Sequence, residues 1–190
     1  MGPTKDAIIT CVETRRLAIE TGRLRLLALT RDALALLHNN TPGLEAALDL
    51  TIARGMLTDS MRRAVARKLA RMQAAPEAVH AWHTYWLAVR DTGGRPVGMG
   101  LLGFKGPPDE RGEVEIGYGI DPGYQGQGFA TEAARALIAW AFEHAECGAV
   151  VAPDTPRANA ASGRVLRKLG MRVYAATERA QSWRLERPEH

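Results

Sequence analysis

Two glycines one residue apart mark the stretch of the chain best suited to chemistry: Gln125-Gly126-Gln127-Gly128-Phe129-Ala130-Thr131. It follows the strand-like segment Gly112 to Ile120, closed by Asp121-Pro122, and opens an apolar-periodic pattern that reaches about His144. A strand, a glycine-rich turn and a helix start make an anion site. The first N–H groups of a helix have no intrahelical partner and lie at the positive end of the helix dipole. Glycine places no β-carbon between those groups and a diphosphate. The spacing departs from a dinucleotide fingerprint: Thr131 stands where a third glycine is needed, and the turn follows a meander rather than the first strand of a βαβ unit. The Gly-Lys-Ser/Thr of a P-loop is missing as well.

Other reactive residue types offer less. His80-x-x-His83 has no Cys or His pair near it, so no metal site is expected. His144 falls on an apolar stripe and reads as a packed histidine. Trp82, Tyr85 and Trp86 read as core rather than as cleft lining. The sequence lacks a Gly-x-Ser-x-Gly nucleophile signature, which favours direct transfer over a covalent acyl-enzyme.

The elements that must position the turn can be read from periodicity. Thr21 to Leu27 alternates basic and apolar residues as a half-buried strand. Thr30 caps a helix to about His38, Asn39 to Gly43 is a breaker cluster, and Leu44 to about Arg54 is a second helix. A third, Asp59 to Gln73, carries Met61, Val65, Leu69 and Met72 on one face and arginines on the other, a basic face that reads as solvated surface. Trp86 to Val89, Pro96 to Phe104 and Glu113 to Ile120 are strands of an antiparallel meander, the first two joined at Thr92-Gly93-Gly94-Arg95. On the last, Glu113 and Glu115 share a face with Gly117 and Gly119. Gly148 to Ala152 is a buried strand. Asn159 to Leu169 is a helix stopped by Gly170, and strands follow at 172–176 and 181–186.

Composition bounds the rest. The 190 residues, 46% hydrophobic and 24% charged, suit one soluble globular domain, with 1–19 as a leader and 20–190 as the domain. No apolar run is long enough to span a membrane, and the N-terminus does not resemble a signal peptide. Cys11 and Cys147 form no metal or redox spacing, so a cytoplasmic setting is expected. The net charge of +4 is compatible with an anionic ligand, but the arginines are spread along the chain, which argues against a dedicated nucleic-acid binder.

The run Gln125 to Ala130 resembles the Q/R-x-x-G-x-G/A signature of the GNAT-type N-acetyltransferases. Further segments agree in order: Gly22-Arg23-Leu24-Arg25-Leu26 with the family's first strand, and Glu115-Ile116-Gly117-Tyr118 with its fourth. Asn159-Ala160-Ala161-Ser162 through Arg167-Lys168-Leu169-Gly170-Met171 is similar to a segment of the branch that acetylates ribosomal-protein N-termini. The likeness covers about 20 to 186 and is weakest over 40 to 80.

The resemblance implies an acyl-CoA N-acyltransferase fold: an α/β (α+β) domain with a mixed, mostly antiparallel twisted sheet of about seven strands and helices on both faces. It implies acetyl-CoA as acetyl donor, with the pyrophosphate held by Gln125, Gly126, Gln127, Gly128, Phe129, Ala130 and Thr131, and the pantetheine arm along the strand ending at Tyr118 and Ile120 and near Asn159. A backbone N–H near Tyr118 to Ile120 would hold the oxyanion. Glu115 is the implied general base, with Glu113 as second choice, and Ser162 the implied acid for the leaving sulfur. Many members carry a tyrosine acid seven residues after the asparagine; here that position is Leu166. The expected activity is transfer of acetyl to a primary amine, either a protein N-terminus or a small molecule. The alternative is a non-catalytic coenzyme A sensor. Neither a membrane nor a nucleic-acid partner is expected, and a homodimer is left open.

Overall fold

The computed structural model describes residues 17–189. In chain order the strands are β1 (Ala18–Glu20), β2 (Arg25–Ala28), β3 (Thr51–Ile52), β4 (Trp86–Arg90), β5 (Val97–Phe104), β6 (Glu113–Ile120), β7 (Ala149–Pro156), β8 (Arg172–Ala176) and β9 (Ala180–Glu186). The helices are α1 (Arg31–Asn39), α2 (Thr41–Leu48), α3 (Asp59–Ala74), α4 (His80–His83), α5 (Phe129–Phe142) and α6 (Ala160–Lys168). The nine strands form one sheet in the order β1-β2-β4-β5-β6-β7-β9-β8, with β3 attached to β5. Every pairing is antiparallel except β3 with β5 and β6 with β7.

The two strands beyond the expected seven are β1 and β3, of three and two residues. Segments that short carry no periodic signal. β1 straddles the end of the expected leader at residue 19; residues 1–16, Cys11 among them, fall outside the described residues. The second helix is displaced from the expected 44–54. Asn40 accepts from the Gly43 N–H at 3.1 Å as an N-cap, Pro42 is tolerated in the first turn, and Asp49 ends the helix in the left-handed region at φ 48°. The breaker residues thus start this helix rather than separate it from the last.

Two cores fill the two faces of the sheet. On one, α1, α2 and α3 cover Leu27, Leu87, Val89 and Leu101. On the other, α5 and α6 cover Trp86, Phe104, Val114 and Ile116. The tryptophans belong to this second core: Trp82 and Trp140 lie 4.6 Å apart between ring centroids, and Trp86 and Trp140 5.1 Å. His144 packs at 4.5 Å on Trp140. β6 therefore has two distinct faces, with Val114, Ile116 and Tyr118 toward α5 and α6, and Glu115, Gly117 and Gly119 toward α3.

Candidate active site

The site begins where the sheet opens. β5 holds β6 from Phe104↔Ile116 to Gly100↔Ile120, but β7 meets β6 only at Glu113, Val114 and Glu115. Beyond Glu115 and Val151 the two strands part. β7 supplies the cause. Its register with β9 shifts between Ala152 and Thr155, where Pro153 has no N–H to offer a neighbour and Asp154 takes a left-handed φ of 48°. The Asp154 N–H turns to Ser182 Oγ at 3.1 Å, on β9. Among the described residues, the outer edge of Ile116 to Ile120 is thus left without a strand partner.

The glycine turn closes over the end of this edge. Asp121 Oδ1 accepts from the Gly123 N–H at 2.9 Å, and Gln125 Nε2 donates to the Ile120 carbonyl at 2.8 Å, tying the turn to the strand. Gly126 and Gly128 take φ of 76° and 85°, a region costly for residues with a β-carbon. That backbone requirement adds to the expected need for close ligand approach. Helix α5 starts at Gly128 with no side-chain cap, so its first N–H groups remain available to an anion. They face a cleft of about 410 Å³ bounded by Tyr118 and Ile120, the turn, and Asn159 and Ser162 at the start of α6.

The cleft gathers Tyr118, Ile120, Gln125, Gly126, Gly128, Phe129, Ala130, Thr131, Asn159 and Ser162 from the sequence-predicted residues. Gln127 is not on its wall. The Gln127 carbonyl instead accepts from Arg23 Nη1 at 3.1 Å. Arg23 belongs to a clamp the sequence did not reveal: Glu132 in the first turn of α5 accepts from Thr21 Oγ1 at 2.7 Å, from the Arg23 N–H at 2.8 Å and from Arg23 Nε at 2.7 Å. Burial raises the Glu132 pKa, but the bonds from Thr21 and Arg23 outweigh it and hold the carboxyl below its ordinary value. The β1–β2 turn is thereby fixed to the helix that carries the anion site.

Asn159 Oδ1 caps α6 by accepting the Ser162 N–H at 3.0 Å. Ser162 Oγ shares a hydrogen bond of 2.9 Å with the Tyr118 hydroxyl. Burial raises the Tyr118 pKa, partly countered by Ser162, so the phenol keeps its proton at neutral pH. Leu166, at the position of the family tyrosine, is wholly buried in the core. The phenols lining the cleft are Tyr118 from β6 and Tyr124 from the turn rather than one from α6, and the bond of Tyr118 to Ser162 is visible only once β6 and α6 are side by side.

The two glutamates differ. Glu113 pairs with Arg184 at 2.5 Å, and Arg184 also binds Glu186; these carboxylates hold the guanidinium pKa above its ordinary value. Glu113 is therefore a tie between β6 and β9. Glu115, on the face opposite the Tyr118 side chain, pairs at 2.5 Å with Lys105, whose side chain is 66% exposed. A pair that exposed is worth no more than about 1 kcal/mol, so Glu115 can exchange this partner for water or an amine. Next to it, Gly117 is exposed, and a β-carbon there would meet nothing within 4 Å. The fork thus has a side toward α5 and α6 that presents uncapped helix N–H groups and an open carboxylate-bearing side toward α3.

The likeness to known proteins fits this geometry. The model of the Acetyltransferase (GNAT) domain matches residues 23–172. The chain is 32% identical over 85 residues to an N-acetyltransferase of Bacillus subtilis (strain 168), "Uncharacterized N-acetyltransferase YjdG"; the match covers 45% of this chain and half of that protein's length. A GNAT-family acetyltransferase from Bacillus anthracis superposes with a TM-score of 0.61 at 16% identity, over 91% of this chain and all of that one. The RimL ribosomal L7/L12 alpha-N-protein acetyltransferase in complex with coenzyme A gives a TM-score of 0.61 at 17% identity, over 90% of this chain and 98% of that one. At such identities the likeness is one of fold. Together with the domain match across most of its length, it shows that the chain belongs to the GNAT acetyltransferase family.

Proposed function

We propose that the protein is an acetyl-CoA-dependent N-acetyltransferase acting on a primary amine, a protein N-terminus or a small molecule, by direct attack. The observation that carries this reading is the fork. A strand edge without a partner ends at an uncapped helix N-terminus, on the far side of the strand from a carboxylate. An extended arm can pair with the edge of Ile116 to Ile120 as an added strand, and a diphosphate can accept from the N–H groups of Gly126 to Thr131. Acetyl-CoA has both parts and supplies the activated thioester.

The chain's own residues then have three tasks. Glu115 accepts the amine proton, directly or through a water. At pH 7, neutralising a lysine-like amine of pKa about 10.4 costs about 4.6 kcal/mol, whereas an α-amine near 7.8 costs about 1 kcal/mol. A carboxylate already engaged with Lys105 suits the easier task. A backbone N–H between Tyr118 and Ile120 stabilises the oxygen on which negative charge develops. As the nitrogen–carbon bond forms and the carbon–sulfur bond breaks, Tyr118 protonates the leaving sulfur, and Ser162 orients the phenol and completes the hydrogen-bonded pair. Even with burial raising it, a phenol is a stronger acid than an aliphatic hydroxyl, which favours Tyr118 over Ser162 as the donor itself.

The test has two stages. Acetyl-CoA should raise the melting temperature, as any ligand specific for the folded state does. Thiol release from acetyl-CoA should then depend on an added amine across a panel of peptides, polyamines, amino acids and aminoglycosides. Binding without acetylation of any amine would favour the sensor reading and remove this one.

A further inference from the structure

Helix α3 is the wall of the open side of the fork. A β-carbon at Gly119 would lie 3.4 Å from Met61 Cε, near the start of α3. A β-carbon at Gly103, the β5 partner of Gly117, would lie 3.3 Å from Lys68 Nζ. Arg71 Nη1 donates to the Lys105 carbonyl at 2.6 Å, and Lys105 is the residue paired with Glu115. The helix therefore runs beside β6 from Gly119 to Glu115, past the open space above Gly117.

This wall is strongly cationic. Besides the buried Lys68, α3 carries Arg62, Arg63, Arg67 and Arg71 against Asp59 alone, an exposed excess of +3. Its arginines have no carboxylate partner among the described residues. Arg63, Arg67 and Arg71 recur every fourth residue and so share one side of the helix. The bond from Arg71 to Lys105 brings the C-terminal end of that row to the glutamate, while Arg63 lies on the outer face, opposite Val65, Lys68 and Met72. The basic face that reads as plain solvated surface in the sequence is, in the fold, the rim of the acceptor opening.

We propose that the acceptor is the N-terminus of a protein segment with acidic side chains among its first residues, lying along α3 with its α-amine above Gly117. This rests on the N-acetyltransferase reading. From Arg63 to Arg71 the row spans about 12 Å at 1.5 Å per residue. About four residues of extended chain cover that length, which is more than most small amines reach. The engaged state of Glu115 suits an α-amine. Nucleic acid is a poorer occupant: α3 has no aromatic residue on which bases could stack, and the amino groups of bases are weak nucleophiles.

The test compares free-N-terminus peptides that differ only in Asp/Glu against Asn/Gln at their second to fifth positions, by amine-dependent thiol release at low and high salt. The acidic peptide should have the higher kcat/KM by about tenfold or more at low salt, and the gap should shrink as salt rises. The double charge reversal Arg63→Glu with Arg67→Glu should remove or invert that preference, while acetyl-CoA titration shows the variant still folded. Equal use of both peptides, or a preference unchanged by the reversal, overturns the proposal and leaves the N-acetyltransferase reading standing. Salt-sensitive binding of a short single-stranded RNA without discrimination between the peptides overturns it in favour of nucleic acid. Acetylation of no amine at all overturns both.

Discussion

Tyr118 and Ser162 carry the sharpest residue-level expectation. Tyr118→Phe removes the proton donor but keeps the ring, so kcat should fall by about 10²-fold with little change in acetyl-CoA affinity. Ser162→Ala should cost less, and the two losses should not add, because the groups share one hydrogen bond. Steady-state kinetics on the single and double variants measure this; full additivity would show that they act separately. Glu115→Gln should lower kcat/KM more for lysine-like amines than for α-amines, in line with the difference in neutralisation cost. Equal losses for the two amine types would remove Glu115 as the base. Ser162, Asn159 and Glu115 are singled out as candidates in the sequence because each sits at a fixed offset within a short motif. The Tyr118 hydroxyl is not, because its role depends on α6 lying across β6, 44 residues away in the chain.

At the scale of elements, the glycine turn and the fork make separate predictions. Gly128→Val forces a β-branched residue into a φ of 85° and puts its side chain toward Arg23 Nη2, 3.4 Å from the new β-carbon. Acetyl-CoA affinity should drop by at least about tenfold, read by titration. Gly117→Leu puts a side chain into the open side from a β-carbon that meets nothing within 4 Å, and without a positive φ. It should reduce kcat/KM for the amine while leaving acetyl-CoA affinity near that of the unaltered chain. Loss of both would place the donor on the α3 side and contradict the two-sided fork. The strands β4, β5 and β6 and the helices α1, α3, α5 and α6 are all legible in sequence periodicity. Periodicity alone ends β7 at Ala152 and gives no sign that the strand continues bent to Pro156.

Across the whole molecule, ionisable groups link the site to stability. Lys68 is 7% exposed and donates to the His83 and Phe104 carbonyls, and burial pushes its pKa down to about 7. The unfolded chain then binds one more proton than the folded chain between about pH 7 and the ordinary lysine value near 10.4, so this residue makes stability rise with pH across that window. Lys68→Met should flatten the rise, as followed by denaturant unfolding at several pH values; an unaltered slope would mean the ammonium stays charged in the fold. Glu132 works in the opposite range. Its lowered pKa gives stability that is present above the ordinary carboxylate value and is lost as pH falls through the folded value. The long-range clamp from Thr21 and Arg23 to Glu132 was not legible in the sequence, since it joins groups more than 100 residues apart that share no motif.

The central claim is that the fork binds acetyl-CoA through the glycine turn and passes its acetyl group to an amine. The most direct measurement is amine-dependent thiol release from acetyl-CoA by the unaltered chain and by Gly128→Val, with mass spectrometry of the amine. The account predicts saturable release with an acetylated amine for the former and near-complete loss for the latter. Release without an acetylated amine, or a Gly128→Val variant as active as the unaltered chain, would contradict it.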